Sequence, residues 1–279
     1  MKPCSFIFSA AAVLMVSAGM LHAQDLVILH TNDTHSQIEE IRTGRGAGSG
    51  GVHRRAEYFH QVISQYGRDH VLLLDAGDYN QGTPYFTVFH GDLEMEIMNG
   101  LGYDVVAIGN HEYDNGVDEL ARRLSGAEFQ TVCANFDFTG TPLEPYVKPY
   151  VIVHKAGKKI GIFGLTLNLR NLVSRQNLKG VVYMDAFAVA DKWAGYLKNV
   201  EKCDLVIALT HVGYSGYPNQ VSDIALAKAS TDIDIIIGGH SHTFLKSAKT
   251  YPNRNGRDVV IVQCGAQGEY VGRFDIDFK

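Results

Sequence analysis

Five loops of this sequence contain the residue types that bind divalent metals in proteins. In chain order they read Asp33-Thr34-His35, Gly77-Asp78, Gly109-Asn110-His111-Glu112, Thr210-His211 and Gly239-His240-Ser241-His242. Carboxylates, imidazoles and an amide oxygen without a thiolate suit a catalytic zinc, manganese or iron site rather than a structural zinc. Seven candidate ligands exceed the need of one tetrahedral ion and suffice for two ions that share a carboxylate, namely Asp33, His35, Asp78, Asn110, His211, His240 and His242.

The spacing inside two of these loops lets a pair of ligands face one ion. Asp33 and His35 are two residues apart, and so are His240 and His242. Residues at positions i and i+2 of an extended segment point to the same side of the chain. Each pair can therefore bind a single cation.

The loop around residue 110 adds a group that can act on a substrate. Asn110 and His111 are adjacent, so they point in opposite directions, which suits one metal ligand and one group aimed at the substrate. His111 and Asp114 are three residues apart, the spacing at which a carboxylate on a turn can hold an imidazole ring. Two metal ions close together are a recurring device for displacement at phosphorus.

Apolar runs precede these loops and predict the strands that position them. The runs cover residues 26–30, 71–74, 105–108, 205–209 and 233–237. Short runs of Val, Ile and Leu without polar alternation are typical of strands covered on both faces. The loops at the ends of such strands converge at one edge of a sheet, where the candidate ligands can meet.

Apolar residues at helical spacing predict helices between the strands. These helices cover approximately residues 52–63, 95–101, 117–124, 186–200 and 221–229. Two further segments, residues 150–165 and 258–278, each hold two apolar runs around a glycine-containing turn and predict hairpins. Strands alternating with helices, together with antiparallel additions, predict a layered α/β fold with a mixed sheet or two stacked sheets in one domain.

Composition excludes several classes of protein. The chain has 279 residues, of which 46% are hydrophobic and 20% charged, so a disordered, collagenous or coiled-coil chain is excluded. The formal net charge of −5 repels a polyanion, and we expect no nucleic-acid partner. Cys133, Cys203 and Cys264 are an odd number at wide spacings, which favours three buried thiols over a single disulfide.

The first 23 residues predict a cleavable secretory signal. Lys2 precedes an apolar run over about residues 6–21, which is shorter than the roughly 20 residues of a membrane-spanning helix. We expect cleavage after Ala23, with residues 24–279 forming the catalytic domain in the periplasm or outside the cell. An uncleaved anchor is the alternative. No later stretch of the sequence is long and apolar enough to predict a membrane span.

The order of these motifs resembles that of the calcineurin-like metallophosphoesterases. The residues within the motifs resemble those of the catalytic, N-terminal domain of the 5′-nucleotidase family. The resemblance lies in residues 29–35 (LHTNDTH), 75–84 (DAGDYNQGTP) and 109–114 (GNHEYD), and it covers nearly the whole chain after the signal. It implies a four-layer α/β/β/α sandwich of two mixed β-sheets.

The resemblance also implies a division of the ligands between two divalent ions, Zn, Mn or Fe. One ion would be held by Asp33, His35, Asp78 and His242, and the other by Asp78, Asn110, His211 and His240, with Asp78 bridging. His242 stands where many members carry Gln, which puts the metal preference in doubt but not the site. Asn110 and His111 would bind the substrate. His111 would stabilise the phosphoryl oxygens or protonate the leaving oxygen, and Asp114 would orient His111.

These expectations describe a secreted two-metal phosphoesterase that hydrolyses nucleotide phosphomonoesters by attack of a metal-bound hydroxide. Two other enzymatic interpretations use the same centre, a cyclic-nucleotide phosphodiesterase and a phosphatase for small phosphoesters in general. Members of the family usually continue into a second domain that contacts the nucleotide, whereas this chain stops at Lys279. A subunit that is active only with a separate chain supplying that domain is therefore a further alternative, and an inert metal-binding subunit is the non-enzymatic one.

Overall fold

The computed structural model describes residues 26–44, 46–216 and 220–278. The expected signal sequence, residues 1–23, lies outside them. In chain order the strands are β1 (Leu26–Thr31), β2 (Val71–Asp75), β3 (Val105–Ala107), β4 (Gln130–Val132), β5 (Phe136–Asp137), β6 (Val147–Lys148), β7 (Tyr150–Lys155), β8 (Lys158–Thr166), β9 (Val182–Tyr183), β10 (Leu205–His211), β11 (Ile235–Gly238), β12 (Lys249–Pro252), β13 (Asp258–Val262) and β14 (Gly272–Ile276). The α-helices are α1 (Val52–Tyr66), α2 (Pro84–Phe89), α3 (Asp92–Leu101), α4 (Gly116–Leu124), α5 (Ala186–Asn199) and α6 (Asp223–Ala229).

Two six-stranded mixed sheets form the centre of the fold. The first has the order β14-β1-β2-β3-β4-β6 and the second β12-β13-β11-β10-β8-β7, while β5 and β9 form a small separate ribbon. In the first sheet β1, β2, β3, β4 and β6 are parallel and β14 is antiparallel. In the second, β8, β10, β11 and β13 are parallel and the edge strands β7 and β12 are antiparallel. The sheets are therefore mixed, as predicted.

The period of two along each strand divides the core into layers. In β1, Leu26 and Ile28 pack in the cluster between the two sheets, whereas Val27 and Leu29 pack on the opposite face against helices α1, α3 and α4. The second sheet repeats this pattern with α5 and α6 on its outer face. The order helix, sheet, sheet, helix confirms the predicted four-layer α/β/β/α sandwich.

Polar residues at the helix ends fix where two of the predicted helices begin. The side chain of Asp185 accepts a hydrogen bond of 2.8 Å from the amide of Ala188 at the start of α5. Ser222 accepts one of 3.3 Å from Ala225 at the start of α6. Such caps satisfy amides that have no partner within the helix. The short helix α2 was not among the predicted helices, because its six residues are too few to show a period.

One of the two predicted hairpins is confirmed and the other is wrong. β7 and β8 pair antiparallel within residues 150–165. Over residues 258–278, however, β13 pairs with β11 and β12 in the second sheet, whereas β14 pairs with β1 in the first. The connection between them crosses from one sheet to the other, and Gln267 donates its backbone amide to the carbonyl of Asp33 at 2.7 Å. Two apolar runs around a glycine turn do not reveal that each strand has a different partner.

Two findings concern the rest of the described chain. Within the described ranges, none of the helices has both the length and the apolar character needed to cross a bilayer. Cys133, Cys203 and Cys264 are buried free thiols, in agreement with the prediction from their number and spacing.

His30 is a buried histidine on the face between the sheets. It lies opposite Gly272 in the pairing of β1 with β14, and a Cβ atom at Gly272 would lie 1.9 Å from the His30 ring. Only glycine leaves room for the imidazole there. Burial lowers the pKa of His30 from 6.5 to about 4, and its Nδ1 has no hydrogen-bond partner in the described part of the chain.

We predict that His30 destabilises the fold at acid pH. The unfolded chain takes up a proton near pH 6.5 and the folded imidazole only near pH 4, so stability is lost between these values as the pH falls. The loss through this one residue should be about 3 kcal/mol. Urea unfolding of the wild type and His30→Leu with a metal chelator, at pH values from 7 to 4, should show the wild type losing this much relative to the variant. The exposed His154→Leu serves as the control, and parallel curves for wild type and His30→Leu would refute the prediction.

Candidate metal centre

The loops that carry the candidate ligands meet at the carboxyl ends of the parallel strands. The loop after β1 runs alongside the loop after β2, because the amide of Asp33 donates to the carbonyl of Gly77 at 2.9 Å and that of His35 to the carbonyl of Asp78 at 3.0 Å. The loops after β10 and β11 come from the second sheet and face them. The site therefore lies where the carboxyl-end edges of both sheets come together.

Glycines allow these loops to approach one another. A Cβ atom at Gly77 would lie 2.6 Å from the amide nitrogen of Gly109, and one at Gly109 would lie 2.2 Å from the Asp78 carboxylate. At Gly239, a Cβ atom would lie 2.8 Å from Nδ1 of His211. Each of these glycines directly precedes a candidate ligand, namely Asp78, Asn110 or His240. Any larger residue at these positions would push the candidate ligands apart.

The backbone at most of the candidate ligands has a left-handed conformation. The φ angles are 51° at Asp33, 49° at His35, 57° at Asp78, 77° at His240 and 52° at His242. Non-glycine residues adopt such angles in only a few per cent of cases, with Asp, Asn and His over-represented. Backbone strain of this kind clusters at functional sites, where the surrounding structure holds it in place.

The first group of ligand atoms comes from Asp33, His35 and His242. The Nε2 atoms of His35 and His242 are 2.9 Å apart. Asp33 Oδ1 lies 4.0 Å from Nε2 of His35 and 3.5 Å from Nε2 of His242. Three donor atoms this close to one another can bind one cation. Asp33 is fully buried, whereas the side chain of His242 is about half exposed.

The second group comes from Asp78, His211, His240 and Asn110. Nε2 of His211 lies 3.0 Å from Asp78 Oδ2, and Nδ1 of His240 lies 3.0 Å from Asn110 Oδ1. Candidate ligand atoms of Asp78, His211 and His240 lie within 4.8 Å of one another. A further set of His35, Asp78 and His111 meets the same limit. Asp78 therefore lies between the two groups, in the position of a shared ligand. His240 and His242 belong to different groups, so the expectation that their spacing lets them bind one cation is wrong, because their backbone is left-handed rather than extended.

The hydrogen bonds of two imidazoles test whether this donor set fits metal ions. Nδ1 of His211 lies 2.7 Å from the carbonyl oxygen of Ala76, and Nδ1 of His35 lies 3.3 Å from that of Asn80. A carbonyl only accepts, so both Nδ1 atoms carry the proton and both Nε2 atoms present a lone pair to the site. Nε2 of His211 is buried and faces Oδ2 of Asp78 at 3.0 Å. These lone pairs beside carboxylates fit divalent cations.

Charge complementarity within the site is strongest between Asp78 and His211. Burial on its own would raise the pKa of Asp78, but the charge and hydrogen bond of His211 and the amide of His111 lower it well below its usual range. Burial would likewise lower the pKa of His211, but Asp78 and Asp33 raise it to about 10. In the absence of a metal ion, the buried carboxylates thus attract a proton to this imidazole, and a cation would compete for the same place.

His111 and Asp114 form a pair at the open side of the ligand groups. Nδ1 of His111 lies 2.8 Å from Oδ2 of Asp114, and both side chains are 30% exposed. The hydrogen bond to Asp114 raises the pKa of His111, against the effect of burial. Asn177 donates its side-chain amide to the backbone carbonyl of Asp114 at 2.7 Å and fixes the turn. The free Nε2 of His111 can therefore meet a ligand that enters from solvent.

Glu112 is a structural member of the site to which the sequence analysis assigned no role. It is fully buried, and its carboxylate accepts hydrogen bonds from the backbone amides of Asp78 (2.9 Å), Gly109 (2.7 Å) and Asn80 (3.2 Å). Burial raises its pKa to about 8. Because the glutamate joins the loop of Asp78 to that of Asn110, it holds two candidate ligands in register. Its place beside His111 in the motif was visible in the sequence, but its three amide partners were not.

Comparison with known proteins identifies the family. The sequence matches the calcineurin-like phosphoesterase family over residues 26–244. The chain belongs to this family of phosphoric-ester hydrolases. It is 35% identical to a 5′-nucleotidase of Bos taurus over 281 residues, which cover 91% of this chain and 46% of the relative. It is 32% identical to a trifunctional nucleotide phosphoesterase of Bacillus subtilis over 91% of this chain and 18% of that protein.

Solved structures agree with this assignment. A 5′-nucleotidase precursor from Thermus thermophilus matches with a TM-score of 0.82 and 32% identity, over 91% of this chain and 51% of that one. An NAD nucleotidase of Haemophilus influenzae matches with a TM-score of 0.78 and 27% identity, over 90% of this chain and 47% of that one. The chain thus spans about half the length of the nucleotidases that it resembles.

We predict that Glu112→Gln weakens metal binding. The amide group of Gln would place N–H donors against backbone N–H groups that now donate hydrogen bonds to the carboxylate. The loops of Asp78 and Asn110 would then separate. Affinity for Zn²⁺ should fall about 10–100-fold, as for other residues that orient metal ligands. Competition with a chromophoric chelator measures this affinity. Glu119→Gln, an exposed carboxylate on α4, is the matched control, and equal affinity in both variants would contradict the assigned role.

Proposed function

We propose that this chain is a two-metal phosphoesterase that hydrolyses phosphomonoesters of nucleotides. The observation that carries the proposal is the pair of ligand groups on either side of Asp78, with His111 beside them on the solvent side. Membership of the phosphoesterase family supports the reaction class. The nucleotidases among the relatives support nucleotides as the substrate.

The residues of the two groups would hold two divalent ions, Zn, Mn or Fe. We assign Asp33, His35, Asp78 and His242 to one ion, and Asp78, Asn110, His211 and His240 to the other. Bound at this place, such ions lower the pKa of a coordinated water towards neutrality and offset the negative charge of phosphoryl oxygens. The buried carboxylates and the neutral faces of His35 and His211 provide the charge and lone pairs that the ions require.

The side chains on the open side would bind and orient the substrate. Asn110 is buried beside His240 and precedes the partly exposed His111 in the chain, so we expect both to contact a phosphoryl group held between the ligand groups. Asp114 holds Nδ1 of His111 and leaves Nε2 free. His111 would donate a proton from Nε2 to a phosphoryl oxygen or to the oxygen of the leaving alcohol, and Asp114 would stabilise the resulting orientation and charge.

The location of the protein is part of the same proposal. The apolar segment before Ala23 supports secretion to the periplasm or the medium, with residues 24–279 as the catalytic domain. Secreted relatives agree with this, since two snake venom 5′-nucleotidases are 34% identical to this chain. A second chain that contributes nucleotide-contacting groups is the alternative arrangement, and a cyclic-nucleotide diesterase or general phosphatase is the alternative specificity.

The first test combines metal analysis with hydrolysis. The purified protein should contain about two divalent ions per chain and release phosphate from AMP, and chelation should abolish the release until Zn²⁺ or Mn²⁺ is restored. Turnover of an aryl phosphate without turnover of AMP would place nucleotide recognition on another chain. Rapid hydrolysis of cyclic AMP alone would support the diesterase. A protein that binds no metal and releases no phosphate would refute the proposal.

The second test separates the substrate-facing pair from the metal ligands. His111→Ala should lower kcat about 10²–10⁴-fold, the range for a general acid, while the metal content stays at the wild-type level. Asp114→Asn should have a smaller effect in the same direction, because the ring keeps a hydrogen-bond partner but loses its charged one. The exposed His154→Ala is the control. Unchanged kcat in His111→Ala would exclude His111 from the reaction.

A further inference from the structure

A cavity of about 470 Å³ lies beside the metal centre and has no part in the function proposed above. It is bordered by the segment 168–181 and by the small ribbon of β5 and β9. Its volume falls within the range of pockets that bind small ligands, which is about 300–1,000 Å³. The residues that line it are cationic, amidic, aromatic and aliphatic, and this combination determines the kind of ligand that the cavity can bind.

Three cations face this cavity without a counter-charge. Arg170, Arg175 and Lys179 line it, and within the described ranges none of them forms an ion pair or a side-chain hydrogen bond. Most other arginines of this acidic chain are paired, for example Arg122 with Glu119 and Arg254 with Asp191. Guanidinium groups bind phosphate oxygens through two parallel hydrogen bonds. A bound anionic group would therefore give these side chains a counter-charge and hydrogen-bond acceptors.

The segment that carries the two arginines is packed rather than loose. Leu169 and Val173 are 1% and 9% exposed and belong to the core between the first sheet and its helices. The amides of Leu172 and Val173 donate to the carbonyl of Leu169 at 3.0 and 3.1 Å, which closes a tight turn. The backbone of both arginines therefore lies next to anchored positions at the edge of the cavity.

Aromatic side chains form one wall of the cavity. The rings of Phe136 and Tyr183 are in edge-to-face contact, with their centroids 5.3 Å apart. Phe136 is buried, and Tyr183 is only partly exposed. A cavity lined by both aromatic rings and three cations suits an organic anion, because the rings can pack on its carbon frame while the cations balance its charge.

The cavity is tied directly to the metal centre. The amide of Leu167 donates to the carbonyl of His211 at 3.0 Å, and Asn177 donates to the carbonyl of Asp114 at 2.7 Å. Asn168 lines this cavity and also a neighbouring one of about 360 Å³ that His240 lines. A substrate bound at the ligand groups can thus extend past Asn168 towards the arginines.

We propose that the cavity of Arg170, Arg175 and Lys179 binds a second phosphate group of the substrate. The inference rests on the proposed function and narrows it: the preferred substrates are nucleotides that carry two phosphate groups, one at the metal centre and one at the cations. A nucleotide with a single phosphate places that group at the metal centre and leaves the cations without a ligand. Discrimination between the two kinds of substrate therefore depends on this cavity.

Kinetics with a matched pair of substrates test the proposal. Adenosine 3′,5′-bisphosphate and AMP differ by one phosphate, and the wild type should show the higher kcat/KM for the bisphosphate. In R170A/R175A this preference should fall about tenfold or more, the loss expected for hydrogen bonds to a charged group, with kcat/KM for AMP within about twofold. K192A/K202A removes two exposed lysines on and after α5 and is the charge-matched control, in which the preference should stay.

Three outcomes would overturn the inference: no preference in the wild type, an unchanged preference in R170A/R175A, or an equal loss for both substrates. If the metal-loaded protein hydrolyses no phosphoester at all, the proposed function fails and calorimetry tests the cavity by itself. Titration with adenosine 3′,5′-bisphosphate should then show the same affinity for the wild type and for K192A/K202A. The affinity of R170A/R175A should be about tenfold lower. Equal binding to all three proteins would overturn it in that case also.

Discussion

The structure depends on two buried carboxylates, Asp33 and Asp78, placed where the two sheets meet. Neither can be stable in a dry interior without compensating charge or hydrogen bonds. The backbone amide of His240 donates to Asp33 at 2.9 Å and that of His111 to Asp78 at 2.8 Å, and the imidazoles complete the compensation. Each carboxylate thus depends on loops from other strands. The requirement to balance these two charges ties the edges of both sheets together.

Bringing the loops this close requires an unfavourable backbone. Five candidate ligands have φ angles between 49° and 77°, and each strained residue costs about 1–3 kcal/mol. The cost is offset by the strands, because a fully buried Leu, Ile or Val contributes about 1.5–3 kcal/mol and the inner strands are apolar on both faces. A core of this kind can hold its ligands in position before an ion arrives, whereas a small or half-exposed sheet could not.

The sequence predicted the parts of the fold that depend on local pattern. The five runs of Val, Ile and Leu became strands that differ from the predicted bounds by a few residues at most, and the loops after them came together as expected. The pairing of β14 with β1 was not predictable, because a strand's own residues do not identify a partner more than 200 positions away. Glu112 escaped assignment for the same reason. Its role is visible only once Asp78 and Gly109 lie beside it.

Burial separates the candidate metal ligands from the residues that we propose to contact the substrate. The candidate metal ligands come from strand ends whose positions the core determines, and most are buried. His111, Asp114 and the cations at residues 170, 175 and 179 lie instead on partly or fully exposed segments. If these residues contact the substrate as proposed, a substitution on those segments changes that contact without moving a strand. Under the proposed function, the core would therefore determine the reaction, whereas loops that can change independently of the core would determine the choice of phosphoester.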